Sequence, residues 1–172
     1  MDVDGRMANK LQDIGYNTVA AKNNLQDIEQ NLPPVPKKAG VYMPIKEFGT
    51  NMAYVSGCLP MENNAVAVTG KLGNDCSIED ACRAAELCTL NILAILKEHL
   101  GSLSRIKNCV KMTVLVASTA DFYQQSQVAN AATELLVSFM GEKIGCPSRA
   151  AFGVASLPLN AAVEIELMVE VY

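Results

Sequence analysis

Few side chains in this 172-residue sequence have a type and setting suited to chemistry, and the best of them lie near its C-terminal end. Arg149 falls in the segment Ser148–Val154, where strand alternation puts Arg149, Ala151 and Gly153 on one face and Ala150, Phe152 and Val154 on the other. A guanidinium offers a planar fork that pairs bidentately with a carboxylate, a geometry lysine cannot reproduce. Residues 162–171 alternate with unusual regularity. Val163, Ile165, Leu167, Val169 and Val171 form one face, and Glu164, Glu166, Met168 and Glu170 form the other. The six cysteines offer less. No pair has CxxC spacing, and the six-residue steps between Cys76, Cys82 and Cys88 rotate each off the face of the one before on a helix. With His99 as the single histidine, no metal site is expected, and His99 itself reads as a structural or solvated residue.

These groups must be positioned by the elements around them. Residues 6–31 read as two short helices interrupted at Gly15, and Leu32-Pro33-Pro34-Val35-Pro36 stops any helix. Residues 1–36 are therefore expected to be an appendage and stiff linker, and residues 37–172 a single domain. Strands are expected at 52–56 and 65–69 around an Asn63-Asn64 turn. Ser77 opens a helix reaching about His99, where Gly101 is a natural stop. Residues 108–116 read as a strand with Val110, Met112, Val114 and Val116 on its apolar face, and Asp121–Met140 as a second helix. The order β-β-α-β-α-β-β predicts an α+β fold, with two helices covering one face of a sheet. The other face keeps Leu115, Ala151 and Met168 among its charges. A monomer rarely leaves such a face bare, so oligomerisation is expected.

Composition narrows the function. The net charge is −4 and the pI about 5.0, with no basic run beyond Arg105-Ile106-Lys107 and Lys111. Nucleic-acid binding draws on clustered Lys and Arg, so no nucleic-acid partner is expected, and no membrane surface either. No apolar run approaches the ~20 residues that cross a bilayer. The first residues, Met1 to Asp4, are acidic with no apolar stretch after them, and the expected location is cytoplasmic with reduced cysteines.

Ser148-Arg149-Ala150-Ala151-Phe152-Gly153-Val154-Ala155-Ser156-Leu157-Pro158, followed by Val163-Glu164-Ile165-Glu166, resembles the closing signature of the YjgF/RidA family. Gly40-Val41-Tyr42, Tyr54-Val55-Ser56-Gly57, Thr69-Gly70-Lys71-Leu72-Gly73 and Ala120-Asp121-Phe122 resemble earlier family segments, so the likeness spans about residues 39–172. Its details are most similar to a longer subgroup labelled YjgF/chorismate-mutase-like or endoribonuclease. The resemblance implies a chorismate-mutase-like mixed sheet with two helices on one face, a homotrimer with ligand clefts between subunits, and no cofactor. It implies hydrolytic deamination of enamines and imines such as 2-aminoacrylate to 2-keto acids and ammonia. The alternatives are a non-catalytic trimer binding a small carboxylate and, against the acidic composition, an endoribonuclease.

By the same resemblance, Arg149 holds the substrate carboxylate and Glu164 orients or activates a water. Tyr42 lines the ligand, and Gly57 brings its backbone against it. Ser56 and Asn130 are further contacts, with Glu166 and Glu170 as weaker carboxylates beside Glu164. Each has a plainer reading: Arg149 in an interface ion pair, Glu164 on a solvated face, Tyr42 at a subunit rim, Gly57 as a strand end. The chain departs from the family's best-known deaminases at Ala151, where they carry Cys, and at Cys58, where they carry Gln. Ala151 removes a polar contact and enlarges the pocket, which puts the substrate in question but not the fold.

Overall fold

The computed structural model describes residues 25–38 and 40–172; the first expected helix, within 1–24, lies outside them. The second is α1 (Leu25–Asn31), seated by Ile28, which is buried in the core, and by Glu29. The Glu29 carboxylate accepts from the Ser102 hydroxyl at 2.8 Å and the Leu103 N–H at 2.5 Å. Strands β1 (Ile45–Phe48) and β2 (Met52–Cys58) follow as an antiparallel pair. A smaller hairpin of β3 (Met61–Glu62) and β4 (Ala65–Val66) turns at Asn63 and Asn64, with φ of 51° and 64°. Asparagine tolerates this left-handed region, which is why the pair reads as a turn.

Helix α2 (Ile78–Leu100) is the central pillar. Ser77 caps it, its Oγ accepting from the Asp80 N–H at 3.0 Å. Gly101, at φ 83°, ends it by returning its N–H to the Lys97 carbonyl. Every residue from Ala84 to Leu96 is buried, since the helix packs on the sheet, on a second long helix and on the small hairpin. Asn91 is one of the polar groups this burial must satisfy: its Nδ2 donates to the carbonyls of Leu59 and Met61, each at 3.1 Å, tying the small hairpin to the helix.

The chain continues through β5 (Ile106–Ala117), α3 (Gln125–Met140), the short α4 (Glu142–Gly145), β6 (Ser148–Val154) and β7 (Val163–Val171). The main sheet runs β1-β2-β7-β5-β6, antiparallel except for the parallel β5–β6 pair. Both long helices pack on one face of this mixed sheet, giving the expected α+β arrangement. Val163, Ile165, Leu167 and Val169 of β7 are fully buried beneath them.

Several expectations need correction or completion. The strand placed at 65–69 is only two residues long, because Val68 and Thr69 leave the small hairpin to meet Ala161 and Ala162 instead. Strand β1 went unforeseen: of its four residues only Ile45 is buried, so it carries no alternating signal. Helix α3 starts at Gln125 rather than Asp121, since residues 121–124 form a turn closed by the Gln125 side chain on the Phe122 carbonyl at 2.7 Å. A bulge between Cys109 and Lys111 breaks the alternation of β5, so Cys109 joins Met112, Val114 and Val116 in the core while Val110 is only half-buried.

Register also decides which groups share the open face. Lys111, Thr113 and Leu115 of β5 lie opposite Met168, Glu166 and Glu164 of β7, with Tyr54 beyond Met168 and with Ala150 and Phe152 on the other side. Ala151 does not belong there. It pairs with Val114 and packs against the core beneath the helices.

Candidate active site in two halves

Arg149 sits on the edge strand β6, in register with the buried Met112, and so points to the helix side of the sheet. Helix α3 receives it. Its Nη1 donates to Thr133 Oγ1 at 2.8 Å, and its Nη2 donates to Asn130 Oδ1 at 2.8 Å and to the Ser126 carbonyl at 3.5 Å. Residues 126, 130 and 133 follow helical spacing, which aligns them on one side of α3. All three acceptors are neutral. Among the described residues no carboxylate comes within ion-pair distance of Arg149. The guanidinium is therefore oriented without being neutralised, and its half-exposed charge is available to an anion. Asn130 holds the arginine, and Ala151 follows it two residues on along the same face. Thr133 was not singled out from sequence, although its spacing from Asn130 was the available signal.

Glu164 lies on the opposite, open face, two strands away on β7. Its carboxylate packs against Gly57 so closely that a Cβ at residue 57 would collide with Oε1. Glycine here makes room for the glutamate. Burial, and secondarily the charge of Glu166, raises the Glu164 pKa. That is the direction a proton-transfer group working near neutral pH requires. Burial first, and Glu166 second, pushes the Tyr54 phenol up to about 12. Burial first, and Glu164 second, pushes the Cys58 thiol up to about 12 as well. The buried thiols of Cys58, Cys88 and Cys109 all stay protonated for this reason and make poor nucleophiles.

Next to Gly57 the surface opens into a small, shallow cleft, lined by Tyr42, Ser56, Cys58, Ile95 and Leu159 among others. Tyr42 is 42% exposed. Ser56 is a support: its hydroxyl donates to the Met43 carbonyl at 2.7 Å and its N–H to the Pro44 carbonyl at 2.9 Å, fixing the loop that carries Tyr42. Glu166 stands beside Tyr54 and Glu164, whereas Glu170 is engaged by Lys107 at 2.7 Å and by Asn51 at 2.9 Å. His99 pairs with Glu47 at 2.7 Å, bracing the end of α2 against β1. No helix among the described residues is long and apolar enough to cross a membrane, and no cluster of three His, Cys, Asp or Glu among them could hold a metal ion.

Leu159 has no sequence signal pointing to it. It adopts φ 56° and ψ 24°, a left-handed conformation that costs a leucine roughly 1–2 kcal/mol. Its neighbours impose it. The Gly70 N–H binds the Asn160 carbonyl at 3.0 Å, and the Ala162 N–H binds the Val68 carbonyl at 3.2 Å.

A five-stranded mixed sheet under two helices, with an arginine on its edge strand and a glutamate on β7, defines an α+β protein of the YjgF type. The chain belongs to that family: residues 22–171 match the family described as "YjgF/chorismate_mutase-like, putative endoribonuclease". It is 38% identical over 147 residues to Protein TCP17 of Trypanosoma cruzi, covering 86% of this chain and 91% of that one. The crystal structure of Atu1372 from Agrobacterium tumefaciens, a protein of unknown function, is 40% identical, with a TM-score of 0.78 over 98% of this chain and 94% of that one. The structure of RidA from an Antarctic Psychrobacter is 28% identical, with a TM-score of 0.54 over 80% and 94%.

Proposed function

We propose that the chain is a hydrolytic deaminase of 2-imino acids and their enamine tautomers, working as a homotrimer whose active sites are shared between copies. The observation that carries this reading is Arg149, held by three neutral oxygens with its charge uncompensated. The arginine and Glu164 lie on opposite sides of the sheet, so one chain cannot close both on one small substrate. A second copy packed on the open face brings its own arginine half to the Glu164 half of the first. Membership in a family that includes RidA, and the apolar Phe152, Leu115 and Met168 on that face, support the same arrangement.

In this reading the substrate carboxylate pairs with Arg149, and a water held by Glu164 adds to the C=N carbon. Glu164 accepts the water's proton and the nitrogen gains one. The carbinolamine's hydroxyl proton then passes to its amine as C=O forms, the C–N bond breaks, and ammonia departs from the 2-keto acid. No step requires a cofactor. Ala151, which offers no polar contact, favours one competing reading, in which the site binds a keto acid without turnover.

The test is ammonia and keto-acid release from enzymatically generated 2-aminoacrylate and bulkier imines, with wild type and Arg149→Ala side by side. Acceleration by wild type alone is expected. Keto-acid binding without acceleration selects the binding reading. Salt-sensitive RNA cleavage by this acidic chain would overturn both.

A further inference from the structure

The cleft beside Gly57 has a composition that speaks to its ligand. Pro36, Tyr42, Pro44, Leu59, Ile95 and Leu159 give it apolar walls. Among the described residues, the charged ones lining it are Lys37 and Lys38, both exposed. An apolar body with an anionic group fits that pattern, whereas a cationic side chain does not.

Leu159 is the unusual wall. A leucine in the left-handed region persists only when the surrounding structure imposes that backbone. Here Pro158 opens the turn, the Ala161 N–H returns to the Pro158 carbonyl at 3.1 Å, and Asn160 follows at φ 58°. Ala161 and Ala162 just beyond are fully buried and anchor the turn. The outcome is a leucine 63% exposed at the cleft rather than in the core. Asparagine or glycine would hold this backbone with less strain, so packing within the chain does not account for the choice of leucine.

We propose that Leu159 is the specificity-determining residue of the site, covering the side chain of imino or keto acids with branched aliphatic or aromatic groups and disfavouring small and charged ones. This rests on the deaminase reading, or equally on its keto-acid-binding alternative. Leu159 touches the substrate's side chain and not the reacting carbon, so its effect is expected in KM rather than kcat.

The experiment compares imines generated by an amino-acid oxidase from alanine, leucine, phenylalanine and glutamate. Wild type, Leu159→Asn and Leu159→Met are assayed together. Asparagine tolerates the same φ and ψ, so the Leu159→Asn protein is expected to fold, with a melting temperature at or above wild type. Wild type is expected to favour the leucine and phenylalanine imines over the alanine imine. Leu159→Asn should lower that preference roughly ten-fold or more, through KM, and Leu159→Met should keep it. An unchanged preference in well-folded Leu159→Asn overturns the proposal while leaving the deaminase intact. If no imine is turned over, the same comparison is made by calorimetry with pyruvate, 4-methyl-2-oxopentanoate and phenylpyruvate. A bulky-acid preference lost in Leu159→Asn then upholds the assignment without catalysis, and its absence overturns it.

Discussion

A guanidinium held by Thr133, Asn130 and a backbone carbonyl is fixed in direction without being neutralised. A lysine at 149 keeps the charge but loses the fork, and with it at least one charged hydrogen bond worth about 1.5–3 kcal/mol. Arg149→Lys should therefore weaken keto-acid binding roughly ten- to hundred-fold by calorimetry, with little change in melting temperature. Glu164 makes a prediction of opposite character. Its folded pKa is raised, chiefly by burial, so the native state holds the proton more tightly than the unfolded chain, whose value is ~4.3. The stabilising effect of protonation is complete below ~4.3 and is lost as pH rises through the folded value. Once ionised, the carboxylate is thus a burden on stability. Glu164→Gln should melt above wild type at pH 7 to 8, converge with it below pH ~4, and lose imine hydrolysis. A wild-type melting temperature that stays higher at pH 7 would contradict the burial argument.

Two contacts between elements can be tested directly. Strands β2 and β7 fit together at one point only because residue 57 lacks a side chain where the Glu164 carboxylate lies. Gly57→Ala should cost about 1–3 kcal/mol by overpacking. In a Glu164→Ala background most of that cost should vanish, and a double-mutant cycle in urea measures the difference. Behind the cleft residues Leu59 and Met61, the Asn91 amide joins α2 to their two carbonyls. Asn91→Leu leaves both without that donor and should cost about 1–3 kcal/mol. Hydrogen exchange should show faster opening of residues 59–66.

At the scale of the whole molecule the decisive feature is the sheet face that no helix covers. Phe152 is 46% exposed there, in register with Leu115 and Glu164. If copies meet on this face, Phe152→Glu places a charge in the interface. It should shift the protein from trimer to monomer by light scattering, and activity should fall with it even though Arg149 and Glu164 are both intact. A variant that stays trimeric and active would place the interface elsewhere.

Local features were legible in the chain alone. Ser77 and Gly101 bounded α2 to within a residue, Asn63-Asn64 marked a turn, and the alternation of 163–171 fixed which side of β7 is buried. The same alternation separated Arg149 from Phe152 on β6. These were legible because caps, turns and period-two burial depend on neighbours within a few residues. The remainder came from long-range contacts. The β5 bulge turned Cys109 inward, and β1 formed because β2 offered it an edge. Ala151 was assigned to the open face from sequence and lies beneath the helices. Which face of each strand the helices cover, and so that Arg149 and Glu164 stand on opposite sides of one sheet, follows from how β5, β6 and β7 are paired. Leu159 was silent in the sequence for the same reason: its conformation is imposed by hydrogen bonds from Gly70 and Ala162. Contacts between residues distant in the chain leave no periodic trace in it, and only the folded arrangement makes them visible.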